Sequence, residues 1–104
     1  MSYYVLSKSV PNDLDEIWEY IAIDDGSAAS RWIAKLFEAF EKLARTPGIG
    51  HMREDWTHLP VLFWPVGAYL IIYRLQSSRI EIVGVTQGSR DIPAFLACRM
   101  GELQ

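Results

Sequence analysis

The segment that decides the fold is FWPVGAYLIIYR, from Phe63 to Arg74. It is almost wholly apolar, yet it is shorter than the about 20 residues that a membrane-spanning helix needs. Its alternating side chains predict two β-strands joined by a tight turn at Val66-Gly67. The second strand is apolar on both faces, whereas a sheet with one wet face alternates cleanly. We therefore expect helices on one face, and the C-terminal tail with a bound protein on the other, where Trp64 is placed.

Outward from this segment, the apolar period changes from about 3.6 to 2 near residue 60, so helices precede the strands. The pattern predicts an α+β fold in one domain, 1–104: an N-terminal strand, a helical hairpin, a three-stranded antiparallel meander and a short C-terminal helical tail. The four strands are expected to form one antiparallel sheet with the hairpin on one face. The predicted segments are strands Tyr3–Ser7, Val61–Pro65, Ala68–Leu75 and Ile80–Thr86, helices Pro11–Asp24 and Ser27–Arg45, the second capped by Ser27, and a tail after Arg90.

Composition and charge limit the classes of function. The chain has a net charge of −3, and its first 25 residues carry six carboxylates against Lys8 alone. A protein that grips a nucleic acid backbone shows a dense basic patch, so no direct DNA binding is expected. Cys98 is the one cysteine, which favours a reducing compartment, and the first ten residues lack the pattern of a signal peptide. We expect a cytoplasmic protein.

Arg74 and Arg90 are the candidate binding residues with the clearest chemistry. Each stands at the end of a predicted strand, and a guanidinium can hold a carboxylate or a phosphate with two parallel hydrogen bonds. The alternative is an internal ion pair, such as Arg90 with an acidic residue of the first helix. Trp64, Tyr69 and Tyr73 complete the predicted partner-binding or target-binding set, with core packing as the alternative for the two tyrosines.

The polar loop before the strands holds the candidates for catalysis. His51 and His58 are seven residues apart with two carboxylates between them, and Arg53 could hold a phosphate. A histidine pair can supply the general acid and the general base of phosphoryl transfer. The alternative is an ordinary solvated loop. The spacing matches no metal-ligand pattern, and no cofactor-binding motif is present, so we expect neither a metal nor a cofactor.

Four segments resemble the RelE/ParE superfamily of toxins from bacterial type II toxin–antitoxin systems. They are DLDEIWEYIA (13–22), LARTPGIGHMRED (43–55), FWPVGAYLIIYR (63–74) and VTQGSRDIPAFL (85–96), and they occur in the family's order. The closing Gly-x-Arg-Asp with its apolar tail is similar to the ParE branch. The resemblance implies a toxin that acts on DNA gyrase, neutralised in a hetero-oligomer by an antitoxin that has a DNA-binding N-terminal domain.

The same superfamily contains the RelE branch, whose members cut messenger RNA on the ribosome with lysines, arginines and a late tyrosine. The three lysines, Lys8, Lys35 and Lys42, lie outside the loop and strands where that site would be, and no tyrosine follows Tyr73. Binding of a protein target is therefore the leading prediction, and a RelE-like ribonuclease that uses the loop histidines is the alternative.

Three positions depart from the family's pattern. Leu62 and Gly84 stand where an arginine is common, and Gln87 stands where a histidine is common. Three basic or polar positions have thus become neutral. They favour a third alternative, a module that has kept the fold and antitoxin binding but has lost toxicity.

Overall fold

The structure, a computed structural model, describes residues 3–102. Its elements in chain order are β1 (Tyr4–Leu6), α1 (Val10–Ala22), α2 (Gly26–Arg45), β2 (Leu62–Val66), β3 (Tyr69–Leu75), β4 (Ile80–Gln87) and α3 (Ile92–Glu102). A 3₁₀ turn, Pro47–Ile49, follows α2. The order of the elements confirms the predicted α+β class, and their ends lie within a few residues of the predicted ones.

The strands form one sheet in the order β1-β4-β3-β2. β2, β3 and β4 are the predicted antiparallel meander, in which Trp64 lies opposite Ile71 and Arg74 opposite Glu81. β1, however, runs parallel to β4, so the prediction of a wholly antiparallel sheet was wrong. The cause is the long connection that contains both helices, because such a crossover can return the chain to the same end of the sheet.

The start of α2 also differs from the prediction. Asp25, rather than Ser27, is the N-cap residue: its carboxylate accepts hydrogen bonds from the backbone N–H groups of Ser27 (2.9 Å) and Ala28 (3.2 Å). An aspartate at this position satisfies two otherwise unpaired N–H groups and suits the positive end of the helix. In α1, Pro11 lies in the first turn, as predicted.

The two long helices cover one face of the sheet, as predicted. The core between them contains Leu14 and Ile17 of α1 and Leu36, Phe40 and Leu43 of α2. From β3 it receives three alternate side chains, Tyr69, Ile71 and Tyr73.

The second face is covered by the chain itself. Leu70 and Ile72 are buried under Ile92 and Leu96 of α3, and Trp56 of the loop before β2 packs against the same cluster. The expectation that a bound protein completes this cover was therefore wrong, because the tail forms a full helix and the loop folds over the sheet. Trp64 was also misplaced, since it packs against the core on the side of the long helices.

Candidate partner-binding surfaces

A buried ion pair, which was not predicted from the sequence, joins α1 to α3 close to one of the candidate residues. Arg99 of α3 donates two hydrogen bonds to the carboxylate of Asp13 in α1, at 2.7 and 2.8 Å. Asp13 also accepts the N–H of Val85 (3.1 Å), and Arg99 also donates to the carbonyl of Val83 (2.9 Å). Within residues 3–102, no buried side-chain nitrogen or oxygen lacks a hydrogen-bond partner.

This pair satisfies backbone groups of β4 that lie beyond the end of β1. β1 is hydrogen-bonded only alongside Ile80–Ile82, and the register of β4 against β3 then skips Val83, which forms a bulge. Beyond the end of β1, the backbone groups of Val83 and Val85 would otherwise need another partner, since buried backbone groups are almost always paired. The signal in the sequence was weak, because Asp13 and Arg99 are 86 positions apart.

Arg90 lies at the rim of a cleft between α1 and the turn that follows β4. The cleft has a volume of about 390 Å³, and Glu16, Tyr20 and Gln87 are among its lining residues. The guanidinium lies 5.2 Å from the ring of Phe95 and makes a long hydrogen bond (3.4 Å) to the hydroxyl of Thr86. Among the ion pairs of residues 3–102 none involves Arg90, and the buried carboxylate of α1, Asp13, is paired with Arg99 instead. The Arg90 guanidinium is thus exposed beside the cleft.

Arg74 is held by an internal carboxylate. Its Nε lies 2.5 Å from Glu81 of the neighbouring strand. Glu81 also accepts hydrogen bonds from Ser7 (2.8 Å) and Gln76 (3.2 Å). This is the internal ion pair that the sequence analysis gave as the alternative for Arg74. The side chain still borders a largely apolar cleft of about 490 Å³, together with Leu62.

The two arginines do not form one site. Gln87 pairs with Tyr69 at one end of β3, and Arg74 lies five residues further along the same strand, so the two ends are about 17 Å apart. Arg90 follows Gln87 by three residues and therefore lies near the opposite end of the sheet from Arg74. A ligand that touches both would have to be a macromolecule.

Tyr69 and Tyr73 are core residues, which corrects their place in the predicted binding set. Tyr73 is completely buried, and its hydroxyl donates to the carbonyl of Pro47 (2.7 Å) and accepts the N–H of Gly50 (2.9 Å). Tyr69 packs edge-on against Trp32. Burial raises the pKa of both phenols. Neither side chain offers a surface to a partner in this conformation.

Trp64 is half-buried in a group of side chains that the sequence did not bring together. The imidazole of His51 stacks on its indole with the ring centroids 6.0 Å apart. The ammonium of Lys42, from α2, lies 5.1 Å from the same ring. A two-bond backbone bridge between His51 and Phe63 (2.8 Å each) holds His51 beside β2. Lys42 of α2 and His51 of the loop thus lie against the same indole ring.

The other loop candidates are held apart from this group. Arg53 pairs with Asp55 (2.7 Å) and lies over the ring of Trp56 at 3.7 Å. The hydrogen bond from Arg53 holds the pKa of the Asp55 carboxyl below its usual value. His58 is exposed, and no hydrogen bond among residues 3–102 links it to His51. The described residues also contain no group of three or more side chains suited to a metal ion.

The three neutral residues that depart from the family's pattern lie in different environments. Leu62 borders the Arg74 cleft, and Gln87 borders the Arg90 cleft. Gly84 lies beneath α3, where an added Cβ would come within 2.7 Å of the Phe95 ring. An arginine at position 84 would therefore collide with Phe95 as long as α3 packs where it does in this structure.

The comparisons with known proteins bear on this arrangement. Residues 4–92 match the family model described as the ParE toxin of the type II toxin–antitoxin system, parDE. The chain belongs to the ParE toxin family. The matched span contains Trp64, Arg74 and Arg90 and ends at Ile92, the first residue of α3. No curated protein sequence matched this chain.

A solved structure has a similar fold. It is described as a chromosomal ParDE TA system from P. aeruginosa, with a TM-score of 0.70 and 18% sequence identity. The likeness covers 84% of this chain and 96% of that chain. At this identity it shows that the ParE chain shares the fold. In the described part of the chain, no helix is both long enough and apolar enough to cross a bilayer.

Proposed function

We propose that this ParE-family chain is the toxin of a toxin–antitoxin pair and that it acts by binding DNA gyrase rather than by cutting RNA. The observation that carries the proposal is the family match over residues 4–92, which includes the sheet and both long helices. Fold alone is a weak guide to function, so the choice between binding and catalysis rests on the side chains.

The arrangement of the loop residues supports binding rather than catalysis. Cleavage at a ribose 2′-hydroxyl needs a base and an acid placed on opposite sides of one phosphate, with cations to stabilise its charge. His51 stacks on Trp64, whereas Arg53 is paired with Asp55, and no hydrogen bond in the described chain joins them to His58. Arginine is a poor proton carrier at neutral pH because its guanidinium group stays protonated there.

Arg90 and the exposed side of α3 are the proposed contact surface for the target. The guanidinium is free of carboxylate partners among residues 3–102 and stands next to a cleft. Arg74 contributes less to this surface, because Glu81 already holds it. Trp64 belongs to a separate surface on the other side of the sheet.

The neutralising partner that we propose is a cognate antitoxin with a DNA-binding N-terminal domain. A segment of it would be disordered alone and would fold on the toxin, and the two chains would form a hetero-oligomer in the cytoplasm. The antitoxin, not the toxin, would contact the operator DNA, since the toxin has a net charge of −3.

One observation favours the RelE-like ribonuclease as the second candidate. The tertiary structure brings Lys42 and His51 to the same indole ring, and so places a cation near a possible proton carrier. The attenuated module is favoured by Gly84, because Phe95 fills the place where related toxins often carry an arginine.

The deciding experiment is expression of the chain without an antitoxin. Growth arrest, intact messages in primer extension and inhibited supercoiling with purified gyrase are the expected results. Message cleavage that disappears in His51→Ala would overturn the proposal in favour of the ribonuclease. Absence of any growth effect from a folded protein would favour the attenuated module.

A further inference from the structure

The two lysines of α2 are held over tryptophan rings. Lys35 and Lys42 are seven residues apart, so they project from one side of the helix about 10 Å apart along its axis. The ammonium of Lys35 lies 4.8 Å from the ring of Trp32, and that of Lys42 lies 5.1 Å from the ring of Trp64. Neither lysine takes part in an ion pair among residues 3–102, although Glu38 stands four positions before Lys42.

Both rings are fixed by the rest of the fold. Trp32 packs edge-on against Tyr69 and lies over Gly67, whose φ of +59° and missing side chain let the indole come this close. Trp64 belongs to β2 and stacks with His51. Because the two rings are packed into the fold, the ammonium groups are already positioned. Binding of a ligand to them would therefore lose less conformational entropy. We call this group the lysine–tryptophan seam: Trp32, Lys35, Lys42, His51 and Trp64.

The charges of the two long helices are segregated. The exposed carboxylates of α1 and the following turn, namely Asp15, Glu16, Glu19, Asp24 and Asp25, make that part of the molecule acidic. α2 carries Arg31, Lys35, Lys42 and Arg45, with Glu38 and Glu41 among them. Two ammonium groups without carboxylate partners thus face solvent on the basic helix of an acidic protein.

We propose that the lysine–tryptophan seam binds an acidic polypeptide segment of a partner protein. Carboxylates seven residues apart on a partner helix are spaced like the two ammonium groups. The indole edges and the lysine methylenes would add apolar contact, and tryptophan is among the residues that contribute most at interfaces. The proposal goes beyond gyrase binding, because it assigns a different surface, and Trp64 is the one residue shared with the predicted binding set.

A nucleic acid is the less suitable occupant. Binding of a single strand relies on open aromatic faces on which bases stack, and here ammonium and imidazole groups already lie against the rings. A phosphate backbone carries a charge at every nucleotide, so Glu38 and Glu41, which lie between the two lysines in sequence, would repel it more than they would repel two carboxylates spaced seven residues apart.

The test is an NMR titration of the purified chain with a blocked, alanine-rich helical peptide that carries glutamates seven residues apart. The expected result is saturable shifts of the Trp32 and Trp64 indole N–H signals. A matched peptide with glutamine in place of glutamate should bind far more weakly. Lys35→Glu/Lys42→Glu should weaken binding about tenfold or more, since two attractions become repulsions. The control Lys8→Glu/Arg79→Glu makes the same charge change elsewhere and should bind like the wild type.

Three outcomes would overturn the proposal: equal binding of the glutamine peptide, equal weakening by the control variant, or shifts spread over unrelated basic residues. Saturable shifts at the seam with oligothymidylate, and none with the glutamate peptide, would assign the surface to nucleic acid instead. The readout uses the chain alone, so it is independent of whether the chain inhibits gyrase. Circular dichroism should show that both variants are folded.

Discussion

Asp13 and Arg99 join the first helix to the last through two charge-assisted hydrogen bonds, 2.7 and 2.8 Å long, although 86 positions separate them. The pair is almost fully buried, with 7% and 11% of the two side chains exposed. It also satisfies the N–H of Val85 and the carbonyl of Val83 at the free edge of β4. This contact fixes α3 on the second face of the sheet.

Removing the charge of Asp13 alone should lower the free energy of unfolding. Asp13→Asn leaves the Arg99 charge buried without a counter-charge, and such a loss typically costs about 3–5 kcal/mol. Urea unfolding followed by circular dichroism measures it. The double variant Asp13→Asn/Arg99→Gln should lose less than the sum of the two single variants. Strict additivity would contradict the coupling.

Gly84→Ala should destabilise the protein by about 1–3 kcal/mol, because the new methyl group overlaps the Phe95 ring. Gly101→Ala is the matched control, since nothing lies within 4 Å of that added carbon. Adding Phe95→Ala to Gly84→Ala makes room for the methyl group, so the double variant should lose less than the two single variants together. A neutral Gly84→Ala would show that α3 does not pack as described.

Tyr73→Phe should destabilise the protein by about 1 kcal/mol, because the loop loses the hydrogen bonds to Pro47 and Gly50. Burial raises the pKa of Tyr73 above the ordinary value of 10.0. The unfolded chain therefore loses this proton first, and stability should fall as the pH rises above 10. Urea midpoints between pH 9 and pH 11 should fall less in Tyr73→Phe than in the wild type. The raised pKa values of Tyr4 and Tyr69 will leave part of the fall in place.

Arg90→Ala and Arg74→Ala should separate target binding from stability. Arg90 is exposed and makes one long hydrogen bond, so its removal should change stability by less than about 0.5 kcal/mol. If Arg90 contacts gyrase, the same variant should relieve growth arrest. Arg74→Ala leaves Glu81 without its cation and should cost about 1–2 kcal/mol. Full toxicity in a folded Arg90→Ala protein would remove Arg90 from the contact surface.

Phe40→Ala should cost about 3–5 kcal/mol, because the ring is completely buried between α2 and the sheet. Phe37→Ala is the control on the same helix, with 36% of the residue exposed, and should cost clearly less. Equal urea midpoints for the two variants would show that the apolar stripe of α2 is assigned to the wrong side.

The sequence by itself determined the order of the elements and the side-chain alternation of β3, because both follow from the local period of apolar residues. It also indicated the family, since the four matching segments are short stretches that occur in the family's order. It determined that Tyr69, Ile71 and Tyr73 share a face, but not which segment covers that face. Local period carries no information about which distant segment lies on a face.

Only the tertiary structure decided the parallel pairing of β1 with β4, the cover of the second face by α3, and the contacts of the arginines. Arg99 pairs with Asp13 beside the bulge at Val83 and the end of β1, where the pair also satisfies two backbone groups of β4, and among the ion pairs of residues 3–102 none joins Arg90 to α1. Lys42 reached Trp64 and His51 in the same way, through the docking of α2 on the sheet. Such contacts join residues far apart in sequence, and their energies depend on burial, which the local pattern does not specify.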